Sequence, residues 1–255
     1  IGGEPSGWLD PAVQNAFPAD VQLAQDAVPI VGQVADVALT RPASGLDAAT
    51  LARMRTQLQA TLRGAGVAVT QVRFTVDGRA LGAGVADVVE PSAEVGTLVL
   101  QNGAFGCIVG DEISPLTGIS SEITAITQPI VSIDVAADDS RAATQLGAQH
   151  VYLIGEGSLD ELDSRPGLIR PSLDSYGYTW SVPAGAPTAL QASGSDAVAH
   201  QVATAWPRAS AISHLRVAPD GARVAAVVTV GKQMWVVVAA VVRDSAGIPI
   251  ELGEV

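Results

Sequence analysis

Residues 130–143 read IVSIDVAADDSRAA, and residues 212–225 read ISHLRVAPDGARVA. Six positions are identical at a constant offset of 82 residues: Ile130 and Ile212, Val135 and Val217, Ala136 and Ala218, Asp138 and Asp220, Arg141 and Arg223, Ala143 and Ala225. After a one-residue slip the echo continues, with Val151-Tyr152-Leu153-Ile154 answering Met234-Trp235-Val236-Val237. Each unit reads as a strand, an Asp-containing turn, a second strand, a short gap and an apolar strand with an aromatic. Self-similarity at a fixed period marks a repeat architecture, and a four-stranded propeller blade runs ~40–50 residues. The offset therefore spans two blades, with a further blade between them. The segment from Pro171 to Trp180 fits that place, with Asp174 in its turn. The expected consequence is that 130–154 and 212–237 share one antiparallel strand arrangement.

A chain of 255 residues that is 48% hydrophobic and 16% charged is globular rather than disordered and can bury a proper core in one large or two ordinary domains. Its longest apolar run, Met234 to Val242, is nine residues, against the ~20 a spanning helix needs. It opens Ile-Gly-Gly with neither initiator Met nor signal peptide, which reads as a processed or trimmed product. The formal net charge is −12 and Lys232 is the single lysine. Such a body repels phosphate backbones and anionic lipid, so nucleic acid is excluded and no polybasic membrane patch exists. Cys107 is the lone cysteine, so neither an internal disulfide nor a Cys-rich metal site can form. In its apolar strand, Ala104–Val109, it reads as a small buried hydrophobe.

Residues 1–84 differ in texture. Trp8, Leu9, Val13 and Phe17 are spaced to share one face of a short helix between Pro5 and Pro18. Val28 and Ile30 precede Gly32-Gln33, and Ala35, Val37 and Leu39 alternate after it, a pattern for a type II′ hairpin. Asp47 reads as the N-cap of a helix whose stripe is Leu51, Met54, Leu58 and Leu62, ended by Gly64 or Gly66. Val72, Phe74 and Val76 then alternate with Gln71, Arg73 and Thr75 before an Asp77-Gly78 turn. The expected order is helix, strand, strand, helix, strand: a small α+β layer with one helix on an antiparallel sheet. Residues 85–97 read as a junction. From 98 to 255 the chain is expected to be all-β, with Asn102-Gly103 as a hairpin signal and a helix conceivable only around Ala197–Ala205.

These phrases resemble a known pair of domains. Pro5-Ser6-Gly7-Trp8-Leu9, Ala16-Phe17-Pro18, the run from Val34 to Leu39, Gln57-Leu58 with Thr61-Leu62, and the run from Val72 to Gly78 together are similar to the GerMN domain. The blade phrases Leu215-Arg216-Val217-Ala218-Pro219-Asp220-Gly221 and Pro171-Ser172-Leu173-Asp174 resemble the β-propeller that follows it in the actinobacterial lipoprotein LpqB family. The resemblance implies a GerMN-like α+β domain at 1–84 followed by an incomplete propeller of about three blades at 98–255. It also implies an extracytoplasmic place, anchored to the cell membrane by an acylated cysteine, and a partner: the extracytoplasmic domain of a two-component sensor histidine kinase, MtrB-like, whose signal transduction it modulates. Against the family pattern, the lipid-bearing cysteine is absent, the first part of the GerMN domain is missing and the blades stop short, so the chain reads as a fragment.

Chemistry-bearing patterns are sparse. His150, His200 and His214 lack metal-ligand spacing, and His214 occupies the repeat position of Ser132, which marks a tolerant strand position. Asp160, Glu161 and Asp163 lack the glycine and glutamate of a calcium loop and read as a solvated turn. Asp138, Asp174 and Asp220 read as turn formers. Gly82-Ala83-Gly84 and Gly155-Glu156-Gly157 carry neither a phosphate-loop nor a dinucleotide fingerprint, and no nucleophile elbow occurs. Trp180 and Trp235 read as core anchors; Trp8 and Trp206 read as packing across the domain junction, with exposed contact residues as the alternative. The sequence thus offers no catalytic residue, no metal ligand, no cofactor and no assignable binding residue. The resulting expectation is a non-enzymatic module mediating protein contacts. The rival readings are an envelope protein recognising a cell-wall sugar or peptide in a concave pocket, and a propeller hydrolase, for which no constellation exists.

Overall fold

The computed structural model describes residues 3, 5, 7, 9, 10, 12–87, 96–147 and 149–254. They fall into two compact units, one of Ile1–Pro5 with Gln14–Val89 and one of Ser6–Val13 with Glu90–Val255.

The first unit carries β1 (Ile30–Val31), β2 (Val34–Ala38), α1 (Ala48–Gly64), β3 (Gln71–Val76) and β4 (Arg79–Leu81), in a sheet of order β1-β2-β3-β4. Asp47 caps α1, its carboxylate accepting from Thr50 N–H at 2.7 Å. Beyond Gly64 the chain turns at Gly66, φ 76°, with Val67 N–H donating to Leu62 O at 3.0 Å. Leu51, Met54, Val72, Phe74 and Val76 are buried in one core, with Leu58 and Leu62 partly buried against it.

Three expectations for this unit are corrected. The sheet is mixed, because β2 and β3 run parallel: α1 is the crossover between them, and a long connection is what parallel neighbours require. Gly32 and Gln33 both have positive φ, 56° and 64°, which makes the hairpin type I′ rather than II′. No helix forms over 12–18. There Phe17 N–H donates to Asn15 Oδ1 at 3.0 Å and Ala16 N–H to Gln57 Oε1 at 2.6 Å, so neither amide is available to a helical ladder. Trp8 lies outside the described residues, as do residues 88–95 of the 85–97 junction.

The second unit is built of antiparallel sheets in chain order. The first holds β5 (Leu98–Gln101), β6 (Ala104–Val109) and β7 (Glu112–Ser114), followed by α2 (Ser120–Ala125). The next holds β8 (Ile130–Val135), β9 (Ala142–Leu146), β10 (His150–Gly155) and β11 (Ser158–Asp163). Then come β12 (Ser172–Leu173), β13 (Thr179–Ser181), β14 (Gln191–Ser193) and β15 (Ala199–Gln201), and finally β16 (Ala211–Val217), β17 (Arg223–Val230), β18 (Gln233–Arg243) and β19 (Pro249–Leu252). In every sheet each strand pairs with its chain neighbour, and none closes on itself.

The repeat is structural. Strands β8, β9 and β10 pair as β16, β17 and β18 do, and both first strands carry a register shift at the same place, between Ile130 and Ser132 and between Ile212 and His214. Ala136 N–H donates to Arg141 O as Ala218 N–H does to Arg223 O, at 2.9 and 2.8 Å. The Asp138 and Asp220 carboxylates accept from the amides of Ser140 and Ala222, at 3.1 and 3.0 Å.

Other features depart from the sequence expectation. Residues 199–201 are β15, not helix, whereas α2 was unforeseen; it buries Ile119 and Ile123 beneath β6 and β10. Residues 158–163 are strand β11, not a turn. Trp180 is wholly buried, but Trp235 is 54% exposed: the core on its face reaches Val228 opposite it on β17, but no strand flanks the other side of β18 at Trp235. Trp206 is buried inside this unit's own core, its indole N–H donating to Pro187 O at 3.0 Å. Cys107 is half-buried.

β18 is asymmetric. It pairs with β17 from Gln233 to Ala240, whereas β19 joins its other side only from Val241. The first half of β18 is thus an edge, and Met234, Trp235, Val236 and Val238 along it are exposed.

Candidate functional site: a donor-lined groove on the first strands

The first strands of the second unit's three four-stranded sheets meet. Asp134 on β8 accepts from Leu173 N–H of β12 at 2.8 Å and pairs with Arg216 of β16 at 2.8 Å. Ser172 O–H donates to Asp134 at 3.4 Å, and Ser172 Oγ accepts from Val217 N–H at 3.0 Å. Asp134, Ser172 and Arg216 thereby lock the three strands together. Asp134 and Arg216 are the same position in the two repeats, filled by opposite charges.

Ser132, Arg170 and His214 each lie two residues before a member of this locked set. The two-residue period of extended chain keeps them on the same side. They line one cavity of about 210 Å³ with Asp134 and Arg216, and Arg170, Ser213 and His214 also line an adjoining cavity of about 530 Å³. The register shifts in β8 and β16 fall immediately before Ser132 and His214; a bulge of this kind re-aims side chains and occurs preferentially beside functional sites. Ser132 Oγ is buried and has no hydrogen-bond partner. Arg170 is exposed and is absent from every ion pair and hydrogen bond among the described residues. His214 Nδ1 lies 3.1 Å from Ser213 Oγ. The groove wall is rich in donors although the chain as a whole is acidic.

Two further clamps join neighbouring sheets. Asp163 is gripped by Arg165, whose Nη1 also donates to Ala189 O at 2.7 Å, and accepts from Ser181 O–H at 2.5 Å. Burial pushes the Asp163 carboxyl up, but the Arg165 and Ser181 hydrogen bonds outweigh it and hold the group below its ordinary range. Asp174 is more than a turn former. It accepts from the amides of Tyr176 and Tyr178 at 2.9 and 2.8 Å, from the Trp180 indole at 2.8 Å, and from Arg243 at 2.6 Å. The Arg243 guanidinium lies 4.0 Å over the Tyr176 ring centroid.

The other acids and histidines do not converge. Glu161 accepts from Tyr152 O–H at 3.0 Å and faces His150 at 3.3 Å, contacts that hold its carboxyl below the usual range. Asp160 is exposed, and Asp163 is buried rather than solvated. His200 sits edge-on to Tyr178, centroids 6.2 Å apart. Among the described residues no group of three or more His, Cys, Asp or Glu could hold a metal. Arg170 was missed in the sequence because its neighbours come from two other sheets. The signal for the groove was the Ser132/His214 pairing in the repeat, read there as mere tolerance.

Residues 96–255 match the model of the lipoprotein LpqB beta-propeller domain. The chain belongs to the LpqB propeller family. Residues 1–82 match the sporulation and spore germination family, the GerMN domain. No curated protein matches the chain as a relative. The LpqB match covers the whole of the groove, and no helix among the described residues is long and apolar enough to cross a membrane.

Proposed function

We propose that this LpqB-family chain is a non-catalytic, extracytoplasmic recognition module of the cell envelope, which contacts the extracytoplasmic domain of a two-component sensor histidine kinase and modulates its signalling. In this reading residues 1–84 are the GerMN-like module, 85–97 the junction, and 98–255 a partial propeller whose sheets β8–β11, β12–β15 and β16–β19 are three successive blades. The lipoprotein description of the family supports placement at the outer side of the membrane.

The observation that carries the reading is the surface of β18. Met234, Val236 and Val238 are exposed together on one face of a strand with a free edge, and Trp235 is exposed on the other. Apolar patches of this kind mark contact surfaces, and an open edge offers main-chain donors and acceptors to an incoming strand. The test is a titration of the mature full-length protein against the kinase extracytoplasmic domain. Wild-type protein is expected to bind saturably, and Val236→Asp to weaken binding at least tenfold while leaving the thermal midpoint unchanged. Failure of the wild-type protein to bind, with saturable binding of a cell-wall fragment instead, would replace this reading by the ligand-binding one.

A further inference from the structure

We infer that Ser132, Arg170 and His214 form a subsite for a carboxylate. Below them in the groove, Asp134, Ser172 and Arg216 satisfy one another and two backbone amides. The row above shares the same wall and the same 210 Å³ cavity, yet its polar atoms are left over. The Ser132 hydroxyl is buried without a partner, a state that is destabilising unless something fills it. Arg170 carries a full positive charge with no carboxylate beside it in a chain with 26 acidic residues. His214 contributes an imidazole whose only polar contact among the described residues is Ser213 Oγ.

Charge selects the class. Arg216 is neutralised by Asp134, so the groove's uncompensated cation is Arg170. One guanidinium balances one negative charge, and its planar fork fits a carboxylate through two parallel hydrogen bonds. A doubly charged phosphate would bring a second charge close to Asp134. Ser132 O–H and the His214 ring would donate to the carboxylate's remaining lone pairs, and the adjoining 530 Å³ cavity, with Val131 and Leu168 in its wall, gives room for the body that bears the carboxylate. Such a group can be a peptide C-terminus or an acidic side chain. The placement owes nothing to the kinase reading, which rests on β18; substitutions in the groove and on β18 therefore fail or succeed separately.

The experiment is calorimetric titration of the full chain with N-acetylglycylglycine, its C-terminal amide, N-acetylaspartate α-amide (side-chain carboxylate free) and inorganic phosphate. The acid is expected to bind saturably and its amide not at all; the aspartate compound decides between terminal and side-chain sources. Arg170→Ala is expected to weaken binding about tenfold or more, Arg170→Lys to lie between, and Ser132→Ala to weaken it several-fold. Arg223→Ala, at the start of β17 and outside both cavities, is expected to leave binding unchanged. A thermal midpoint for Arg170→Ala equal to the wild type's confirms the fold of that exposed-site variant. Absence of binding by every carboxylate, equal binding of acid and amide, binding of phosphate alone, or indifference to Arg170→Ala each overturns the assignment.

Discussion

Asp174 shows how one residue can do a local and a long-range job together. Its Oδ1 holds the two amides that shape the β12–β13 turn, while its Oδ2 takes the Trp180 indole and the Arg243 guanidinium from another sheet. Removing it strands a buried cation, because the Arg243 side chain is only 10% exposed. Asp174→Ala is therefore expected to destabilise the second unit by roughly 3–5 kcal/mol, read from a urea midpoint. Asp138 and Asp220, whose carboxylates serve their own turns, should cost far less. Asp163 predicts a pH effect. Its folded carboxyl titrates below the unfolded value of about 3.9, so its stabilisation is complete above that value and is lost as pH falls through the folded one. Asp163→Asn should lower stability at neutral pH and lose less of it on acidification to pH ~2–3, measured as the difference in urea midpoint between variant and wild type.

At the scale of elements, the stripe on α1 is graded. Met54 is wholly buried, whereas Leu58 is only partly so. Met54→Ala is expected to cost about 2–5 kcal/mol and Leu58→Ala distinctly less; equal losses in thermal denaturation would mean that the helix docks differently. Elements set by local rules were readable from the chain: α1 through its cap and stripe, the Asp77-Gly78 and Asn102-Gly103 hairpins through residues that accept positive φ. What escaped depended on partners distant in sequence. Ile123 of α2 and its cap residue Ile119 are correctly spaced, but the helix is six residues long, too short for a periodicity to stand out. The parallel pairing of β2 with β3 is a property of the crossover. Trp235 looks like a core residue in sequence, yet the sheet leaves its end of β18 uncovered. The groove residues were invisible for the same reason: Ser132, Arg170 and His214 become neighbours only when three sheets meet.

At the scale of the molecule, two units with separate cores should melt separately. Scanning calorimetry is expected to resolve two transitions, with Met54→Ala lowering one and Asp174→Ala the other; a single transition shifted by both would show that the units unfold as one. Within the second unit the sheets resemble one another, and similar neighbours invite misassembly. The Asp134–Arg216 pair bears on that hazard. Homologous positions carry opposite labels, so a sheet docked in its sibling's place would set like charge against like. The charges serve as addresses, telling each copy of the repeat where in the row it belongs. Asp134→Arg or Arg216→Asp alone should slow refolding and promote off-pathway species, while the double exchange should recover only the charge-pairing part of the loss, because an arginine at 134 cannot accept from Leu173 N–H.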